Sequence, residues 1–412
     1  MAGMSLLELA EKLVAFDTVS NKTTVPMAEF ITDYLRRCGF VIEEYPYEIA
    51  GVRKINLIAR KGGPNPRLVL AGHMDTVPAG KWDGDPRALT LTREGTYRGR
   101  GIADMKLFLA IAMKAGEVIR ASELRRPFAL CFTSDEEEGC LGAKKLVEVL
   151  AKAGQKLGDY VVIGEPTEFY PVYAHKGYVY LTVSVEAMRD LHSRTGGKEN
   201  PAHSSNPATT TNVVELTMPE VIQELRRFKV ELERVRDSRF QPDYPTMNIG
   251  GRIIIGRQPD KGGNPDKVGK NIIPRCYTIE CDIRPVPGQD PHDLIDILKG
   301  NIVERLRSIR TVVLDEKLKI TVKAKRAPTY PMETPRGSRV VVLAKEISGL
   351  EPKTVSFNTE GYIFNRTGAR TVIWGPTDIL QAHTENECVP AELFDERKTV
   401  DPYVRMIRTM CM

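Results

Sequence analysis

Residues 128–139 read FALCFTSDEEEG, an apolar run of the length of one buried strand followed at once by four consecutive carboxylates. Adjacent like charges repel, and burying even one without a partner is costly. A strand that ends this way is either turning into solvent, as acidic runs at helix starts commonly do, or delivering its acids to something positive.

Outward from that stretch, similar short apolar runs occupy residues 54–59, 67–71, 160–164 and 370–375. Between and before them, apolar residues recur at three and four over 5–16, 26–38, 104–121 and 142–153. Strands alternating with helices predict an α/β sheet covered on both faces. From Tyr178 the texture changes. VYLTVSVEA (179–187) and YTIECDIR (277–284) alternate with period two, and a helix-like stretch, 212–236, lies between them. Two-faced strands with helices predict a smaller α+β layer inserted into the first domain. The Pro-rich turn RPVPGQDP (284–291) reads as the return, which divides the chain into 1–177, 178–287 and 288–412. The Gly- and Lys-rich segment 256–270 reads as a loop.

The bulk numbers agree with two domains, since 412 residues exceed what one core usually organises. A net charge of +5, from 59 Lys and Arg against 54 Asp and Glu spread along the chain, is too small and dispersed for a nucleic-acid binder. The N-terminal MAGMSLLELAEKLVAF carries acids in an amphipathic pattern rather than the layout of a signal peptide, and no apolar run is long enough to cross a bilayer. Seven cysteines without a C-x-x-C pair point to reduced thiols and away from a disulfide scaffold or cysteine zinc site. The expectation is a cytoplasmic protein.

Chemistry gathers where the strands end. LVLAGHMD puts His73 and Asp75 past one strand, FTSDEEEG puts the acids past a second, VVIGEPTE puts Glu165 past a third, and VIWGPTDILQAH puts His383 after a fourth. GRGIADM places Asp104 at the mouth of a helix. In open α/β sheets, ligands collect at the carboxyl ends of strands, so these residues should share one rim. Two histidines with four or more carboxylates make a metal-site inventory: imidazole and carboxylate suit zinc, and two close ions need a bridging carboxylate. Within the acidic run one carboxylate can ligate while its neighbour serves as general base. Asp75, two residues after His73 on an extended chain, could hold the second imidazole nitrogen and set its tautomer. Singly, each residue has a plainer reading: a structural histidine, a helix N-cap for Asp104, a solvated start for Asp135 and Glu138. His175 is expected to fill a domain junction, His192 and His292 to be solvated, and Glu360 in FNTEGY either to recognise a substrate amine or to cap a turn.

The motifs GHMDTVP, GRGIADMK, SDEEEG, IGEPTE, AHSSNP, DIRPVPG and QAHTENE, in that order over nearly the whole chain, resemble the dinuclear-zinc deacylase and peptidase family that includes acetylornithine deacetylase, succinyl-diaminopimelate desuccinylase and glutamate carboxypeptidase. The wording IGEPTE, YAHKGY, YPTMNIGG and GPTDILQAH is most similar to the acetylornithine deacetylase branch. The resemblance implies a metallopeptidase-like catalytic domain, a mixed sheet flanked by helices, with an inserted α+β lid and dimerisation domain that makes a homodimer. It implies two divalent ions per subunit, zinc first and cobalt as the alternative. His73, Asp104 and Glu165 would surround one, and Asp104 as bridge, Glu137 and His383 the other. Glu136 would be the general base, Asp75 the carboxylate behind His73, and His203 the stabiliser of the tetrahedral intermediate. Arg284 and Asn271 would bind the substrate carboxylate. The segment 189–201, RDLHSRTGGKENP, departs from the family as an insertion just before His203. The implied reaction is hydrolysis of an N-acyl amino acid, N-acetylornithine to ornithine and acetate in arginine biosynthesis. The rivals are a desuccinylase, a dipeptidase or carboxypeptidase, a two-metal phosphoesterase, and a metal-binding protein with a dead site; against the last stands Glu136, which a purely structural site does not need.

Overall fold

The computed structural model describes residues 3–188, 212–256, 273–309 and 318–412. The chain forms two units, one from Met1–His175 with Met332–Met412 and the other from Lys176–Pro331.

The first unit is built on a nine-stranded mixed sheet. Its order runs Val41–Ile49, Val52–Lys61, Phe128–Thr133, Leu68–His73, Tyr160–Pro166, Arg370–Gly375, Val172–His175, Met332–Glu333, with Lys353–Val355 branching onto Val172–His175. The four central strands that carry the rim, Phe128–Thr133, Leu68–His73, Tyr160–Pro166 and Arg370–Gly375, are mutually parallel. Their residues read as unbroken apolar runs because both faces are covered: Leu68 to Ala71, Phe128 to Phe132, Val161 to Ile163 and Val372 to Trp374 are buried. Helix Leu107–Val118 is itself buried along most of its length. Gly164 lets the Phe108 ring lie against the strand just ahead of Glu165, since a Cβ there would overlap the ring. Helix Leu6–Ala15 opens with a Ser5–Glu8 capping box, worth about 1 kcal/mol. The expected helix 104–121 proves shorter: a single irregular turn, Ile102–Lys106, precedes the regular helix.

The second unit is a four-stranded antiparallel sheet in the order Thr246–Ile255, Cys276–Arg284, Val179–Ala187, Leu318–Ala324. Period-two alternation buries Val179, Leu181, Val183 and Val185 against a core shared with helices Val213–Leu232 and Pro291–Ser308. The return expected at residue 287 is displaced to Pro331. The turn at 284–291 only ends a strand; the following helix buries Leu294, Leu298 and Ile302 in this core, and strand Leu318–Ala324 then pairs with Val179–Ala187.

Candidate metal centre

Parallel register brings the sequence motifs to one rim. His73 is the last residue of its strand and pairs with Thr133, so the acidic run begins two residues beyond it on the same rim. On the other side Ala71 pairs with Ile163, which brings Glu165 alongside His73. The loop after Arg370–Gly375 delivers His383, at φ 63°. Asp104 arrives on the irregular turn with φ −130° and ψ 89°, entered through Gly101 at φ 80°, a left-handed value that favours glycine. It is therefore neither an N-cap nor part of a regular helix.

Asp104 stands between the two imidazoles: Oδ1 is 3.0 Å from His73 Nε2 and Oδ2 is 3.3 Å from His383 Nε2. His383 Nε2 also donates to Glu137 Oε1 at 2.9 Å, and Glu165 Oε1 is 3.9 Å from His73 Nε2. Burial opposes a charge on His73, yet Asp104, Glu165 and Asp75 hold its pKa well above the usual imidazole range. Hydrogen bonds to Asp104 and Glu137 push His383 up to about 10. Burial works to raise Asp104, but the two imidazoles hold its carboxyl below the usual range. Burial raises Glu136 to about 8, with Glu137 and Glu360 adding to it against His73, and raises Glu165 and Glu137 as well. Carboxylates outnumber cations here, and the donors fit divalent ions. His73, Asp104 and Glu137 each offer a ligand atom within 4.8 Å of one another, as do His73, Glu136 and Glu165. The shared Asp104, with one oxygen toward each histidine, suits a bridge between two ions. Geometry alone also puts Glu136 within ligating reach.

Behind this rank lie residues that the sequence reading missed or misjudged. His73 Nδ1 faces the backbone carbonyl of Asp75 at 3.0 Å, with the Asp75 carboxylate farther off at 3.7 Å. That carboxylate instead accepts from the Glu136 amide at 3.1 Å, the Glu137 amide at 3.3 Å and the Ser20 hydroxyl at 2.9 Å. Of the acidic run only Glu138 is exposed. Asp135 is buried and paired with buried Lys54 at 2.7 Å, and Tyr47 donates to it at 3.0 Å. The acids thus find two kinds of positive partner, Lys54 behind and the imidazoles in front. Glu360 occupies the N-cap position of helix Gly361–Arg366 but does not cap it. Its buried carboxylate accepts from Thr133 at 2.7 Å, and burial raises its pKa to about 7.

In the second unit the Arg284 guanidinium lies 4.1 Å from the Tyr178 ring centroid, with Arg326 at 5.2 Å from the same ring. His203, Asn271, His192 and the insertion 189–201 lie outside the described residues. His175 is buried at the end of its strand and His292 is exposed.

A model of Peptidase family M20/M25/M40 matches residues 69–408. The chain belongs to this family. Proteins named acetylornithine deacetylase are similar along almost the full length: that of Myxococcus xanthus is 34% identical over 392 residues, covering 92% of this chain and 91% of that protein. That of Erwinia tasmaniensis is 30% identical over 417 residues, covering 99% and 98%. Among solved structures, a tripeptidase from Staphylococcus aureus shares the fold at a TM-score of 0.70 and 19% identity, over 98% of both chains. An M20 family metallo-carboxypeptidase from Sulfolobus solfataricus does so at 0.69 and 17%, over 98% of this chain and 99% of that one. This M20 chain is a hydrolase. No described helix is long and apolar enough to cross a membrane.

Proposed function

We propose that this M20 hydrolase cleaves the amide bond of an N-acylated amino acid, with N-acetylornithine as substrate and ornithine and acetate as products, and that it does so in the cytoplasm as a step of arginine biosynthesis. The observation that carries the reading is half-buried Glu136, a carboxylate of raised proton affinity beside His73, Asp104 and Glu165. The acetyl group and ornithine come from the relatives' names.

His73, Asp104 and Glu165 would hold one divalent ion, and Asp104, Glu137 and His383 a second, zinc before cobalt. Bound ions supply positive charge that polarises the amide carbonyl, acidifies the attacking water and keeps Glu136 deprotonated. Glu136 takes the proton from that water as its oxygen joins the acyl carbon. It then gives the proton to the amine nitrogen as the C–N bond breaks. His203 stabilises the oxyanion between those steps. Arg284 and Asn271 bind the free carboxylate of the substrate, for which a planar guanidinium is suited. Lys176–Pro331 serves as lid and dimerisation domain.

The test is amine release by zinc- or cobalt-reconstituted protein from acetyl, succinyl and formyl amino acids and from dipeptides, alongside phosphate release from a generic ester. Turnover highest with N-acetylornithine, and abolished by a chelator, is expected. Preference for N-succinyl-diaminopimelate or a dipeptide would reassign the substrate, and phosphate release would reassign the reaction.

A further inference from the structure

Two motifs of the chain, GRGIADMK and QAHTENE, hold residues to which the proposed reaction gives no part: Arg100 and Glu387. Glu387 lies four residues after His383, and its carboxylate is buried. Oε2 accepts from the Gly101 amide at 2.9 Å and from Arg100 Nη1 at 2.8 Å. Oε1 accepts from the Ala103 amide at 2.8 Å and the Asp104 amide at 3.1 Å. Arg100 in turn donates through Nη2 to the carbonyls of Thr384, at 2.8 Å, and Ala79, at 3.4 Å. The Gly99 amide donates to the Glu387 carbonyl at 3.2 Å.

The Asp104 turn needs such a partner. Asp104 and Met105 have non-helical backbone angles, so a regular i−4 ladder does not serve the amides that lead into them. One carboxylate from the far end of the chain collects three of those amides, and charge makes such bonds both strong and directional. The same carboxylate is anchored to the His383 segment by a short stretch of backbone whose Thr384 carbonyl is held by Arg100. Residues 79, 99–104 and 383–387 are thus tied at one point.

We propose that the Arg100–Glu387 pair is the clip that sets the spacing of Asp104 and His383, making Glu387 a positioning residue for the second ion. The inference rests on the two-ion reading above. Asp104 would serve both ions, but only the second also depends on His383, so loosening the clip weakens the second ion more than the first. An ordinary buried salt bridge would instead affect stability without distinguishing the two ions.

The experiment titrates zinc into chelator-stripped full-length protein, for the parent, Glu387→Gln and Arg100→Lys, by calorimetry and by counting bound zinc after dialysis. Thermal unfolding of the zinc-free proteins is recorded alongside. The parent should take up two ions. Glu387→Gln should keep the first and lose affinity for the second by roughly 10–100-fold, as partners that orient ligands do. Arg100→Lys, which keeps the charge but not the fork, should fall between, and it carries the same criterion if Glu387→Gln does not fold. Parent-like affinity for both ions in the folded variants would overturn the clip, as would equal weakening of both ions in step with a lowered Tm. A parent that takes up fewer than two ions would overturn the two-ion reading and the inference with it.

Discussion

Asp75 Oδ1 accepts the backbone amide of Glu136 at 3.1 Å, so the carboxylate that follows His73 also holds the peptide of the candidate base. Asp75→Asn keeps one acceptor but turns an NH2 group toward an amide donor, which should swing Glu136 off its line. The expected result is a kcat lower by roughly 10–100-fold with two ions still bound. Steady-state kinetics and metal counting on the same sample check it, and an unchanged kcat would take Asp75 out of the base's support.

Glu136 and Glu137 are adjacent and should behave oppositely. Glu136→Gln should retain both ions and lose turnover by about 10²–10⁴-fold, the usual range for general base catalysis. Glu137→Ala, like His383→Ala, should lose an ion, because Glu137 and His383 meet at 2.9 Å. If Glu136→Gln loses metal and Glu137→Ala does not, the roles within the acidic run shift by one residue.

Stability of the metal-free protein should fall between about pH 5 and pH 7. Folded Glu136, raised to about 8, and Glu360, raised to about 7, bind protons above their unfolded value of 4.5. The folded chain then holds more protons than the unfolded one, so the stabilisation is complete below about 4.5 and is lost as pH rises through 7 to 8. Lys106, lowered by burial to about 7, and Lys61, lowered to about 8, act in the opposite sense at higher pH. Calorimetric Tm of chelated protein should decline across that window, and the increment from added zinc should grow. A metal-free Tm that rises with pH would contradict the assignment.

Lys54 and Asp135 form an ion pair whose side chains are each 2% exposed. Lys54→Met leaves Asp135 buried without its cation and should cost about 3–5 kcal/mol in denaturant unfolding. Adding Asp135→Asn, a residue that tolerates the positive φ of 57° at that position, should recover much of the loss. Equal stability of the single and double variants would show that the two charges are not coupled.

For the proposed dimer, mixing inactive His203→Ala chains with inactive Glu136→Ala chains should restore activity. A site completed across subunits would then unite an intact base with an intact oxyanion donor. Verified mixed dimers without recovery would confine His203 to its own chain or remove it from the reaction.

Much of the fold was legible along the chain. The buried strands at 128–133 and 370–375 and the period-two strand at 179–187 match their sequence patterns, because a strand covered on both faces and a strand covered on one leave different local signatures. The convergence of His73, Glu136, Glu137, Glu165 and His383 followed from their positions after strands, since parallel strands end on the same rim; Asp104 joins them from the irregular turn Ile102–Lys106.

What the order of residues could not reveal depends on register and on partners far away. Lys54 is only the first residue of an apolar run until antiparallel pairing of Leu57 with Phe132 carries it to Asp135. Nothing in QAHTENE singles out Glu387 until the Asp104 turn presents its amides to it, and Asp75 reads as a partner of His73 until the Glu136 peptide arrives within bonding distance. The extent of the second unit was decided in the same way, by Leu298 and Val322 entering a core that the Pro-rich turn does not foretell. Composition and periodicity determine which segments are buried and which residue types reach a strand's end. Hydrogen-bond partners and charge pairs are set only when packed layers bring distant backbone together, because a buried polar group must then take the partner that this packing supplies.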